Sequence, residues 1–300
     1  MPPTAPSAPP ADRGRAFLLV LVAYLVALVI ALVVGIGWSA EHPVVVAAVA
    51  DVAATLVVFA FSFAFRNSSF YDPYWSVAPF AIGLYWALVA APGAAAPTRQ
   101  LLVLGCLGLW GVRLTWNWAR GWCGLAHEDW RYVDMRAQSG GLYWLVSFLA
   151  IHFFPTLIVF LACLPLWPAL AEGARPPGAL DALGAVLCVG GTALELFADN
   201  QLRRFRRSGP PPEAILETGL WAWSRHPNYL GEILFWVGLA VFGLAAAGLV
   251  WWAWLGVAAI VLMFRFASLP MIEKRMLARR PGYAERQRRV ALLIPRPPRA

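Results

Sequence analysis

Hydrophobic residues fall along this chain in long uninterrupted runs, separated by short stretches where charged and amide side chains concentrate. Eight runs stand out, at about 16–36, 43–65, 77–92, 100–119, 142–170, 179–201, 229–247 and 249–267. A helix needs about 20 apolar residues to cross the hydrocarbon of a bilayer, and most of these runs reach or approach that length. The pattern therefore predicts an all-α, polytopic membrane helical bundle of about 7–8 transmembrane helices. The third run is short. The fifth is long enough to tilt or break near Pro155 and Pro165. The apolar core of the first run exceeds the roughly 7–15 residues of a signal peptide, so it is expected to persist as a helix. Residues 1–15, which open on a Pro-, Ala- and Ser-rich stretch, are expected to be disordered. Residues 16–300 then form one membrane-embedded domain, its distinctive half at about 142–300.

Composition agrees with that picture: 60% of the residues are hydrophobic and only 13% are charged. The net charge of +8 could point to nucleic acid, but the excess sits in loops beside apolar runs. With the amino terminus inside, the inner segments become 1–15, 66–76, 120–141, 202–228 and 268–300. They hold Arg13, Arg66, Arg131, Arg225, the Arg203–Arg207 cluster and a basic tail, whereas the outer loops keep Arg99 and Arg175. Such asymmetry places both termini in the cytoplasm and excludes a nucleic-acid partner. The four cysteines form no CxxC pair, and no HExxH spacing occurs, so neither a disulfide framework nor a metal site is expected. His152 lies alone on an apolar stretch, where a structural role is the usual one.

Polar groups at membrane depth are costly and default to function. Glu195 and Asp199 are four residues apart and share a helix face; Arg203 continues it and Arg206 lies near it. The stretch Trp221–Glu232 reads WAWSRHPNYLGE, placing Arg225, His226, Asn228, Tyr229 and Glu232 where a basic loop enters an apolar run. Pro227 suits a first helical turn, and a helix amino terminus attracts phosphate or carboxylate. Glu232 is expected to accept hydrogen bonds from a ligand amide, a ribose or a buried arginine; the plainer alternative pairs it with Arg206 or Arg265. Arg113, Asn117 and Arg120 fall on one helical stripe, and the loop beyond reads Glu128-Asp129-Trp130-Arg131-Tyr132. Tyr71-Asp72-Pro73-Tyr74-Trp75 joins the second and third runs. Two facing helix ends loaded this way suggest a pocket for an anionic, nucleotide-like ligand at one membrane surface. No GxGxxG follows a strand, so a dinucleotide would be held without a Rossmann domain.

These residues resemble the steroid 5-alpha-reductase family, in particular its bacterial branch. The motifs that carry the resemblance are Asp199 with Arg203 and Arg206, Gly219-Leu220-Trp221, Ser224-Arg225-His226-Pro227-Asn228-Tyr229, and Gly231-Glu232. The aspartate–proline loop at Asp72, the Arg113-Leu114 pair with Asn117, the Glu128–Tyr132 loop, Glu273-Lys274-Arg275 and Pro281-Gly282-Tyr283 extend it over about 70–300. The resemblance implies a helical bundle in the bacterial inner membrane that holds NADPH in a cytosol-facing cavity. It also implies reduction of an activated carbon–carbon double bond in a lipid-soluble substrate. Asp199, Arg206, Asn228 and Glu232 would be cofactor contacts, with Arg113 another. Asn117, Glu195, Arg203, Arg225, His226 and Tyr229 complete the candidate cofactor set. The family's catalytic glutamine–glutamate pair is not found, and Trp110 stands where its catalytic tyrosine would precede Arg113 by three residues. Asp72, Tyr74 and Tyr132 are the candidate substitutes. The Arg225–Gly231 stretch with a late Glu273 is also similar to the isoprenylcysteine carboxyl methyltransferase-like superfamily. That alternative implies S-adenosylmethionine and a membrane lipid or isoprenylcysteine substrate.

Overall fold

The structure, a computed structural model, describes residues 10–298. Nine helical elements follow in order: α1 (Pro10–Gly37), α2 (Pro43–Ala64), α3 (Tyr74–Val89), α4 (Pro97–Gly121), α5 (the helical run Trp130–Glu172), α6 (Ala179–Arg207), α7 (Pro227–Ala247), α8 (the run Trp251–Arg279) and α9 (Tyr283–Arg289). A 3-10 turn at Ser68–Phe70 and a one-turn helix at Leu220–Trp223 sit in the connections. Among the described residues the one β-type contact is an isolated bridge between Ser224 and Ala291.

Each of the eight apolar runs coincides with a helix. Among the described residues six helices are long and apolar enough to cross a membrane, namely α1 from Asp12, α2, α5, α6, α7 and α8, so the chain is an integral multi-pass membrane protein. The other two runs give α3, which has only 16 residues, and α4, which is interrupted by Arg99, Arg113 and Arg120. Arg99 and Arg113 are nonetheless buried, because α4 pairs each with an acid on α6. The amino-terminal boundary differs from expectation. Residues 10–15 are helical, not disordered: Pro10 opens α1, Asp12 sits in its first turn, and Arg13 donates to the Ala119 carbonyl at 2.8 Å. Residues 1–9 of the expected disordered stretch lie outside the described residues.

Prolines shape α5 and α8. A proline cannot donate to the turn before it and its ring crowds the carbonyl four residues back, so the helix widens instead of breaking. In α5 a π-helical stretch, Ser147–Phe153, precedes Pro155, and a turn interrupts the helix at Leu164–Pro165. In α8 the π stretch Phe264–Ser268 precedes Pro270.

The most extensive helix–helix packing in the bundle joins α6 to α7. A Cβ on Gly191 would stand 2.5 Å from the Gly231 carbonyl oxygen, and one on Gly231 would stand 2.6 Å from Glu195 Cγ. A Cβ on Gly238 would meet the Cys188 backbone nitrogen at 2.8 Å. Small residues allow this approach where lipid supplies no hydrophobic drive between helices. The result brings Glu195 and Asp199 on α6 level with Asn228 and Glu232 on α7. A core of Trp110, Phe235, Trp236 and Leu239 closes that region, with Trp110 stacked on Phe235 at 4.4 Å and 10°.

Candidate functional site

Arg113 of α4 is the centre of the buried polar cluster. Its guanidinium donates to Glu195 Oε2 and to Asp199 Oδ2. Asp199 also accepts from Asn117 Nδ2 at 3.0 Å and from Asn228 Nδ2 at 3.2 Å, so three helices meet on one carboxylate. Arg120 bonds Asn117 Oδ1 at 3.0 Å and Asn200 Oδ1 at 3.2 Å, and Arg203 reaches the Asn117 and Arg120 carbonyls at 3.4 Å. Beside this network opens a cavity of about 260 Å³ lined by Asn117, Gly121, Asp199, Leu202, Arg203, Arg206 and Arg207.

Glu232 is held differently from expectation. Its two oxygens accept from the indoles of Trp110 at 3.0 Å and Trp236 at 2.9 Å, and neither Arg206 nor Arg265 pairs with it. Trp110, which departs from the family pattern, supplies one of those donors. Its position three residues before Arg113 is the signal that it shares the Arg113 face.

Several buried polar atoms here have no protein partner. They include Arg113 Nε, Arg120 Nε, Glu195 Oε1 and Asn228 Oδ1. A buried donor or acceptor left unpaired costs about 1–3 kcal/mol. Their concentration around one cluster marks the place where a ligand or water completes the bonding.

Arg225 and His226 are not brought to this cluster. Arg225 pairs with Glu273 at 3.1 Å and donates to the carbonyls of Gln287 and Val290. His226 Nε2 lies 2.7 Å from Glu273 Oε1, which also accepts from Tyr283; Gln287 serves Oε2 at 2.6 Å. The two residues expected to contact cofactor thus anchor α8 and the carboxy-terminal segment. Charge and a proline turn were legible, but the partner 47 residues away was not.

Two of the three candidate catalytic residues pair, and the third does not join them. Tyr132 donates to Asp72 Oδ1 at 2.6 Å, joining the start of α5 to the loop before α3. Burial pushes the Asp72 carboxyl up to about 7, and the nearby Asp129 charge adds to the shift. Tyr74 points elsewhere: its hydroxyl donates to Asp51 Oδ1 at 2.7 Å, inside the bundle. Tyr71, on the other side of Asp72, bonds Thr156 at 2.8 Å, and Thr156 bonds Thr55 at 2.9 Å. Tyr74 therefore helps fix the loop and does not join the Asp72–Tyr132 pair. Glu128 holds the same loop from outside by accepting from the Ser68 backbone at 2.6 Å and from Arg136.

Tyr229 packs its ring against Phe264 at 4.7 Å and His226 at 5.9 Å. Charged groups near it are Arg131 and Asp129 on one side, Glu232 and Asp199 on the other. No cluster of His, Cys, Asp and Glu suited to a metal ion occurs among the described residues.

Comparison with known proteins gives the following. The family described as "Protein of unknown function (DUF1295)" matches residues 58–290, a stretch that contains every candidate residue above. The chain is similar to a protein of the fission yeast Schizosaccharomyces pombe, "Uncharacterized protein C594.04c". The two are 31% identical over 257 residues, covering 77% of this chain and 73% of the yeast protein. No solved structure matches.

Proposed function

Given that this chain belongs to the DUF1295 family, we propose that it is a membrane-embedded, NADPH-dependent reductase of an activated C=C bond. The substrate class is a lipophilic enone of steroid, sterol, isoprenoid or fatty type. The carrying observation is the group of unpartnered buried atoms around Arg113, set beside a cavity whose wall is three arginines. Arg203, Arg206 and Arg207 suit phosphate, and Asn228 Oδ1 is an acceptor free for an amide N–H. At about 260 Å³ the cavity is smaller than the roughly 300–1,000 Å³ that encloses a whole drug-sized ligand, so it fits one phosphate-bearing end. Bound NADPH would supply the hydride.

The chain's own residues would do the rest. Glu195 and Asp199 fix the Arg113 guanidinium, and Asn117 and Asn228 fix Asp199, so the ligand-facing atoms are set before binding. Asp72, its carboxyl pushed up to about 7 by burial, is protonated in a substantial fraction of molecules at neutral pH, and Tyr132 orients that carboxyl. The spans would exclude water and admit a substrate from the bilayer. In this reading the arginine-rich face and both termini lie in the cytosol, and the membrane is a bacterial inner membrane.

A second reading, an S-adenosylmethionine-dependent methyltransferase of membrane lipids or isoprenylcysteine, draws on the meeting of Arg225, His226 and Glu273 in space. Arg225 and His226 both pair with Glu273, and S-adenosylmethionine carries no phosphate to use the arginine-lined cavity. Titrating detergent-purified protein with NADPH, NADH and S-adenosylmethionine separates the two. Salt-sensitive NADPH binding is expected. Saturable S-adenosylmethionine binding without NADPH binding would replace the reductase with the methyltransferase.

A further inference from the structure

A half-buried tyrosine hydroxyl normally finds a partner. Tyr24, Tyr71, Tyr74, Tyr132, Tyr143 and Tyr283 each do, through a hydroxyl bonded to a carbonyl, a carboxylate or another hydroxyl, whereas half-buried Tyr85, packed against the apolar core on α3, makes no such bond among the described residues. Tyr229 is half-buried on the first turn of α7, yet among the described residues its hydroxyl makes no hydrogen bond. That hydroxyl is not sealed in, since it is absent from the buried unpaired atoms that include Asn228 Oδ1 next to it.

Its position distinguishes it further. Asn228 and Glu232 flank it on α7 and belong to the Arg113 cluster. Arg131 and Asp129, which it also neighbours, belong with Asp72 and Tyr132. Tyr229 therefore borders both polar groups. The ring itself is fixed edge-on by Phe264 and His226, and His226 is in turn fixed by Glu273. An immobilised phenol with an unused O–H, set between the groups assigned to cofactor and to proton, has the geometry of a donor to substrate.

We infer that Tyr229 is a catalytic residue whose hydroxyl donates a hydrogen bond to the carbonyl oxygen of the enone. The inference rests on the reductase reading and moves Tyr229 from the cofactor set to the substrate. The chemistry balances as follows. A new C–H bond forms at the β carbon with the hydride from NADPH, leaving NADP⁺, and the C=C π pair shifts toward the carbonyl oxygen as an enolate. Tyr229 stabilises that oxygen without giving up its proton. The α carbon then takes a proton from the Asp72 carboxyl, which is refilled by solvent, and the ketone is regenerated. A donor aimed at developing oxyanion charge is worth about 10²–10³ in kcat.

The test uses the full-length protein in detergent, wild type against Tyr229→Phe, with thermal unfolding run on both to confirm folding. NADPH affinity is measured first. NADPH oxidation is then followed with a 4-ene-3-one steroid, and binding of a fluorescent naphtholic steroid, an enolate mimic, is titrated in the presence of NADP⁺. Expected for Tyr229→Phe are NADPH affinity within twofold of wild type, KM within a few-fold, and kcat lower by about 10²–10³. The naphthol should bind at least tenfold more weakly. Unchanged kcat, or unchanged naphthol binding where the steroid is not turned over, overturns the assignment. So does a loss of NADPH affinity as large as the loss of kcat, which returns Tyr229 to the cofactor set. A wild-type protein that binds no NADPH removes the reductase reading itself, and is distinguished by failing before the variant is made.

Discussion

Two clamps join α4 to α6, with the same chemistry and the same 82-residue separation, yet they differ in how completely they are bonded. Arg99 and Asp181 form the first. Arg99 is fully buried; its guanidinium meets both Asp181 oxygens and the carbonyls of Gly173, Arg175 and Pro176, while Asp181 also caps the Gly178 N–H. Arg113 with Glu195 and Asp199 forms the second, and Arg113 Nε and Glu195 Oε1 are left over. A buried ion pair is weak evidence of stabilisation, because desolvation offsets much of the attraction. The degree of saturation is the better guide. The first clamp has nothing left to offer a ligand, and the second does.

That contrast can be broken by mutation. The largest effect is expected from Arg99→Ala, which strands Asp181 and should lower stability by about 3–5 kcal/mol, read as a fall in thermal unfolding temperature. Any folded fraction should bind NADPH normally; weakened binding would make the first clamp part of the site. Arg206→Ala should behave in the opposite way. Among the described residues the Arg206 side chain makes no hydrogen bond or ion pair and neighbours the Asp199 charge, so the change should alter unfolding little and weaken NADPH by about tenfold or more, since hydrogen bonds to charged groups are worth about 1.5–3 kcal/mol. Equal affinity for NADPH in both proteins would separate the cavity from the cofactor.

A smaller effect concerns pH. The Asp72 carboxyl titrates near 7 in the folded protein, far above its usual carboxylate range, so it is protonated below that pH and ionised above it. Turnover that draws a proton from it should therefore fall as pH rises through about 7, and Asp72→Asn should be slow with that limb removed. A variant with normal rate would take Asp72 out of the chemistry. The smallest effect is expected at Asn228→Ala, where the Nδ2 bond to Asp199 and the free Oδ1 are lost together. A few-fold weaker NADPH binding with under about 1.5 kcal/mol of stability lost would sharpen the distinction between the clamps.

Much of this architecture is legible in hydropathy. Every apolar run became a helix, because the bilayer constraint acts on consecutive residues. The 3.6-residue period likewise places Arg113 with Asn117 and Arg120, and Glu195 with Asp199. What could not be read is which polar residues satisfy one another across the bundle. Glu232 and Trp110 are 122 residues apart, so the glutamate looked free for an arginine or a ligand. His226 looked like a cofactor contact because Glu273 was not visible as its partner. Tyr74 looked interchangeable with Asp72 until the structure showed it turned toward Asp51. Even the amino-terminal helix began earlier than composition suggested, since Pro10 is a breaker in mid-helix but a natural opener.

The π stretch Phe264–Ser268 has a consequence for insertions and deletions. Each residue of an α-helix advances the side chains by about 100°. The wide turn therefore sets the rotational phase of everything downstream of it, including Glu273. Removing a single residue there would let α8 close into regular helix with Glu273 near its present phase, whereas removing one from a regular turn of α8 upstream of Glu273 would swing it by about 100° away from His226, Arg225 and Tyr283. The irregular segment of α8 would then tolerate the loss of one residue better than the regular turns beside it.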